Sequence, residues 1–162
     1  MNNYKCCFIG YGSIGKKHIK ILRSLNKKIE IIVLKNPNKI YKEIKNINFL
    51  DLDEIKKIKL NAIFITNPAS LHFKWLKKIY SLNTNIFIEK PLFDKFHDID
   101  EIVKYQRKIK KKIIVGYMFR YDPLMQYLKN LMDSYSIGNL KLIKIYCGSD
   151  LRHWRLNQKL ED

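Results

Sequence analysis

The residues best suited to chemistry open with a glycine cluster. Three of the chain's 6 glycines lie within the run Gly10-Tyr11-Gly12-Ser13-Ile14-Gly15. The run follows a short apolar stretch and precedes an amphipathic one, which is the strand–turn–helix setting in which a G-x-G-x-x-G loop receives a diphosphate. Gly10 makes the tight turn, Gly12 lets backbone approach the phosphates, and Gly15 lets the helix pack close to the strand. Backbone N–H groups at the helix start, including those of Ser13 and Ile14, attract the anion together with the helix dipole. The ligand class this points to is a dinucleotide.

About 20 residues further on, an acid commonly holds the ribose 2′-hydroxyl. Lys35 and Asn36 stand there instead, and Glu30 lies at the wrong end of its strand. A lysine at that place can neutralise a 2′-phosphate, so Lys35 favours NADP(H), with NAD(H) still open. Three more polar clusters follow apolar runs: Thr66-Asn67-Pro68-Ala69-Ser70-Leu71-His72, Glu89-Lys90-Pro91 and Gly116-Tyr117-Met118-Phe119-Arg120-Tyr121-Asp122-Pro123. A lysine at a strand end beside a cofactor, as Lys90 would be, can move protons near neutrality.

The elements that must position these residues alternate in kind. Strands are expected at Lys5–Ile9, Ile29–Leu34, Phe49–Leu50, Ala62–Thr66, Asn85–Ile88, Ile113–Val115 and Leu140–Cys147. Helices are expected at Ser13–Leu25, with Ile14, Ile21, Leu22 and Leu25 on one face, and weakly at Pro37–Ile44. Further helices are expected at Leu52–Ile58 behind an Asp51 cap, from a Ser70 cap to Leu82, at Asp98–Lys112, and from Asp122-Pro123 to Tyr135. Strands separated by helices mean βαβ units and a parallel sheet, and the lack of two-residue alternation means that both faces are covered. The fold class is α/β, a Rossmann doubly wound parallel sheet, followed by the start of an incomplete α/β second domain. The division expected is residues 1–118 and 119–162.

Composition narrows the functional classes. Lys+Arg is 32 against Asp+Glu 15, a net charge of +17. The bases are 27 Lys and 5 Arg, accompanied by 25 Ile, 14 Asn and 2 Ala. A/T-rich codons produce that skew, and no recognition motif accompanies the charge, so a nucleic-acid partner is not expected. No apolar run approaches the ~18 residues a membrane span needs, and the short run Cys6–Ile9 is no signal peptide. The expected location is the cytoplasm. Cys6, Cys7 and Cys147 form no C-x-x-C, and the 4 His lack ligand spacing, so no metal site is expected.

Together the four clusters, in this order and at this spacing, resemble the Gfo/Idh/MocA family of oxidoreductases over about residues 4 to 155. The resemblance implies an NAD(P)-binding domain followed by an α/β substrate domain. It also implies hydride transfer between a nicotinamide and a hydroxyl carbon of a sugar, nucleotide-sugar or cyclitol. Lys90 matches the family's active-site lysine, Pro91 holds it, and Glu89 orients nearby groups. Thr66, Asn67, Pro68 and His72 would line the adenine–ribose side, and Arg120 would approach the nicotinamide or substrate. Ser149 to Arg155 is similar to the sugar-facing stretch of relatives in surface-polysaccharide or nonulosonate pathways. Family members are longer, with a second helix motif that supplies an acid–base partner. The chain is therefore expected to be the cofactor-binding half, a homo-oligomer or one completed by another polypeptide. The alternative is a dinucleotide-binding sensor or partner subunit without catalysis.

Overall fold

In a computed structural model, residues 4–38, 40–95, 98–108 and 111–148 are described. They divide into two compact units, with the boundary between Met118 and Phe119.

The first unit is built on six parallel strands. These are β1 (Lys5–Ile9), β2 (Glu30–Leu34), β3 (Ile47–Leu50), β4 (Ala62–Ile65), β5 (Asn85–Ile88) and β6 (Ile113–Val115). Their order across the sheet is β3-β2-β1-β4-β5-β6, every neighbouring pair parallel. The chain winds outward from β1 to β3, returns, and winds the other way from β4 to β6. This is the doubly wound Rossmann arrangement, and its reversal lies between β1 and β4.

Residues alternate between two cores along each strand. Cys7, Ile9, Ile32, Leu34, Ile63, Ile65, Ile86 and Ile88 face one side, where Ile55, Leu76, Ile79 and Ile102 meet them. Those four come from helices α2 (Leu52–Lys56), α3 (His72–Ile79) and α4 (Asp98–Lys108). Cys6, Phe8, Ile31 and Val33 face the other side, against Ile19 of α1 (Ser13–Leu25). Each fully buried branched side chain stabilises the sheet by roughly 1.5–3 kcal/mol relative to exposure, so apolar residues on both faces of every central strand fix the register.

Local details depart from the sequence expectations. On α1 the inward line is Gly15, Ile19 and Leu22, while Ile21 and Leu25 are exposed. Close packing at Gly15 sets the rotation of the helix, and apolar spacing cannot report that. The described residues of 37–44 form no helix: the Asn36 N–H donates to the Tyr41 hydroxyl at 3.1 Å, and the Tyr41 ring stacks on Phe49. Ser70 caps nothing. A 3-10 turn, Ala69–Leu71, precedes α3, and a second, Tyr80–Leu82, follows it. Asp51 does cap α2, through a reciprocal box with Glu54 in which both bonds are 2.8 Å.

In the second unit Asp122 caps α5 (Pro123–Asp133) by accepting from the N–H groups of Leu124 and Met125. Residues 140–147 form no strand. A strand persists only when a neighbour takes up its N–H and C=O groups, and the described residues offer none there.

Candidate functional site

The strand ladders run past the strand ends at the sheet's C-terminal edge. The Thr66 N–H donates to the Ile9 carbonyl, Glu89 N–H to Ile65, and Gly116 N–H to Ile88, each at 2.8–2.9 Å. Those bonds bring the glycine loop, the Thr66 turn, the Glu89–Pro91 turn and Gly116 to one level. Ligands of open α/β sheets bind at this edge, at the point of strand reversal.

The three loop glycines answer to different demands. Gly10 has φ +113°, and a Cβ there would lie 2.6 Å from the Asn67 nitrogen. A Cβ on Gly15 would lie 2.4 Å from the Gly10 carbonyl oxygen. The fold itself therefore requires both. Gly12 is extended, and a Cβ on it would meet nothing within 4 Å. Its own chain gives Gly12 no reason to be glycine; a ligand seated against the backbone would.

Helix α1 begins at that open position without a side-chain cap and without an acid in its first turn. By contrast α2 and α5 each begin at an aspartate that accepts their first N–H groups. The first-turn donors of α1 are thus left for an external anion, and the residues fit a dinucleotide's diphosphate.

Beside the loop lies a cleft of about 530 Å³. It is lined by Gly10, Gly12, Lys35, Thr66, Asn67 and Pro68 from the sequence expectations. Sequence reasoning missed Tyr41, Lys74 and Trp75, which also line it. Lys74 and Trp75 lie in the helix that follows the Asn67-Pro68 turn, a signal that was available; nothing in the sequence marks Tyr41. The Asn67 Oδ1 is buried with no hydrogen-bond partner, an unspent acceptor suited to a ribose hydroxyl.

Several expected residues, Thr66 of the cleft lining included, also serve the fold. Thr66 is buried, and its hydroxyl donates to the Gly10 carbonyl at 2.7 Å, so it ties the two turns together from within. His72 is 1% exposed. Its Nε2 lies 2.8 Å from the Asn67 carbonyl oxygen, and its Nδ1 lies 3.1 Å from those of Pro91 and Leu92. It bridges two turns and is not among the residues lining the cleft. Ser13 and Ile14 lie in the first turn of α1.

Lys90 is exposed at the end of β5, and its peptide bond to Pro91 is cis. Its N–H donates to the Glu89 Oε2 at 3.0 Å. The other Glu89 oxygen accepts from His18 Nε2 at 2.6 Å. His18 was missed in the sequence; its position eight residues after Gly10 on α1 was the available clue. Arg120 is exposed in the second unit, where its carbonyl accepts from Gln126. Ser149 to Arg155 lie outside the described residues.

Among the described residues no helix is long and apolar enough to cross a membrane. The chain is 29% identical over 143 residues to the uncharacterized oxidoreductase YrbE of Bacillus subtilis, covering 85% of this chain and 42% of that protein. It is 28% identical over 145 residues to inositol 2-dehydrogenase of Salmonella typhimurium, covering 83% and 43%. Among solved structures it is similar to the WlbA dehydrogenase of Chromobacterium violaceum in complex with NADH and UDP-GlcNAcA. There the TM-score is 0.73, with 21% identity over 84% of this chain and 41% of that one. It is also similar to scyllo-inositol dehydrogenase of Lactobacillus casei with bound NAD(H) and scyllo-inositol, TM-score 0.69 at 21% identity, covering 85% and 43%. The chain thus spans less than half the length of these relatives. Residues 4–117 match the sequence profile of the oxidoreductase family with an NAD-binding Rossmann fold, and the chain belongs to that family, Gfo/Idh/MocA.

Proposed function

We propose that residues 1–118 hold a nicotinamide dinucleotide and that Lys90 serves the chemistry of an oxidoreductase acting on a hydroxyl carbon of a sugar, nucleotide-sugar or cyclitol. The observation that carries this is the uncapped start of α1 at Gly12, open above its backbone, where the strand order reverses. Residues 119–162 would begin the substrate domain. The relatives' bound NADH, NAD(H) and inositol or nucleotide-sugar ligands support the same class.

When bound, the nicotinamide supplies or accepts the hydride. The chain's own residues do the rest. First-turn N–H groups of α1 bind the diphosphate, and Asn67 accepts from a ribose hydroxyl. Lys35, at the end of β2, meets the 2′ position and favours a phosphate there, hence NADP(H) over NAD(H). The Lys90 ammonium holds a proton at the substrate oxygen during reduction, and its amine takes that proton during oxidation.

Fluorescence titration with NADH and NADPH tests the reading. We expect binding of at least one dinucleotide, and a loss of roughly tenfold or more in Gly12→Val, whose side chain would occupy the diphosphate's approach. Absence of binding at millimolar concentration, or full affinity in Gly12→Val, would overturn it.

A further inference from the structure

The cluster around Glu89 lies among residues that do not line the cleft and joins α1 to the ends of β5 and β6. Glu89 stands at the end of β5 with its side chain 13% exposed. One oxygen takes the Lys90 N–H at 3.0 Å, and the other takes His18 Nε2 at 2.6 Å. A carboxylate only accepts, so His18 Nε2 carries the proton. The His18 ring meets Phe87 edge-on, with centroids 5.1 Å apart. Phe87 in turn packs toward Phe64, at 5.3 Å, and Phe64 stacks on Phe8, at 4.7 Å. At the end of β6, a Cβ on Gly116 would lie 2.8 Å from the Phe87 ring and 3.5 Å from the Glu89 Oε1. Glycine there leaves the pair its room.

Two consequences follow from this arrangement. Both Glu89 oxygens accept from the protein itself, which fixes the orientation of the carboxylate. The backbone of Lys90 is tied, through Glu89 and His18, to α1, the same helix whose first turn faces the diphosphate site. Removing His18 leaves a largely buried carboxylate without its partner, which is costly unless the side chain turns to water. Turning to water releases the Lys90 N–H.

We infer that His18 is a positioning residue for Lys90, acting through Glu89, and that it fixes how the nicotinamide half of the cofactor is received while leaving the adenosine half alone. This rests on the dinucleotide reading above.

The test separates the two halves of the ligand by titrating NADH or NADPH, whichever binds, against ADP-ribose, which lacks the nicotinamide. In His18→Leu we expect reduced dinucleotide to bind roughly tenfold more weakly, with ADP-ribose affinity within about twofold. His18→Gln carries an N–H at nearly the position of Nε2 and is expected to restore the dinucleotide affinity. In a Lys90→Ala background His18→Leu should add little, since the two lie on one path. Thermal unfolding of each variant checks that it is folded. Equal losses for both ligands, or no loss for either, would overturn the inference, as would failure of His18→Gln to restore binding in a folded protein. Failure of the unaltered chain to bind any dinucleotide would instead remove the reading on which it rests, and the inference with it.

Discussion

The Thr66 hydroxyl donates to the Gly10 carbonyl across 2.7 Å, joining the turn after β4 to the turn after β1. Those strands are neighbours where the sheet reverses direction. One buried bond thus holds the floor of the cleft together. The Gly15 α-carbon packs over it so closely that an added Cβ would sit 2.9 Å from the same hydroxyl oxygen.

Replacing Thr66 with Val keeps the shape and removes the donor. The Gly10 carbonyl then loses a buried partner, and we expect a loss of about 1–2 kcal/mol in urea unfolding. Dinucleotide affinity should fall with it, because the loop is held less firmly.

The loop glycines should separate by stability. Gly10→Ala and Gly15→Ala force a Cβ against backbone at 2.6 and 2.4 Å, and the first also strains a positive φ. Each is expected to cost on the order of 2 kcal/mol or more. Gly12→Ala meets only open space, so its melting temperature should stay within a degree or two of the parent. Differential scanning calorimetry reads all three.

Lys35 lies at the end of β2 in the cleft wall. Lys35→Asp presents an acceptor to a ribose hydroxyl and repels a phosphate. The ratio of NADPH to NADH affinity should fall by roughly tenfold or more. An unchanged ratio would assign the choice to other residues.

Stability at low pH should report the cap of α2. The Glu54 backbone N–H, first among several causes, holds the Asp51 carboxyl below the usual carboxylate range. A depressed value in the folded state means that this stabilisation is present above the unfolded value of about 3.9 and disappears as pH falls through the lower folded value. Asp51→Ala should therefore lower the melting temperature by a few degrees at neutral pH, with the difference from the parent closing in strong acid.

The thiols should divide by burial. Desolvation pushes Cys7 up to about 12, with the neighbouring Cys6 adding to it, and burial also raises Cys6. Cys147 is exposed. A thiol reagent at pH 8 should label Cys147 in the folded protein and the other two only after unfolding. The raised values also mean stability that is complete below the unfolded thiol value of about 8.5 and declines above it.

Much of this protein was legible in its one-dimensional order. The strands β1, β4, β5 and β6 and the start of α1 follow from short apolar runs closed by Gly10, Asn67-Pro68, Glu89-Lys90-Pro91 and Gly116, because those residues interrupt a ladder wherever they occur. The glycine loop was readable for the same reason: backbone conformation at a glycine is a local property. What only the folded chain decided were relations between residues far apart. Gly15 turned α1 so that Ile19, not Ile21, entered the core. The ring of His72 went inward to join two turns rather than outward to the cleft. Glu89 found His18, 71 positions earlier. The stretch 140–147 carries a strand's composition yet forms none, since hydrogen-bond partners come from a neighbouring strand and not from the segment's own residues.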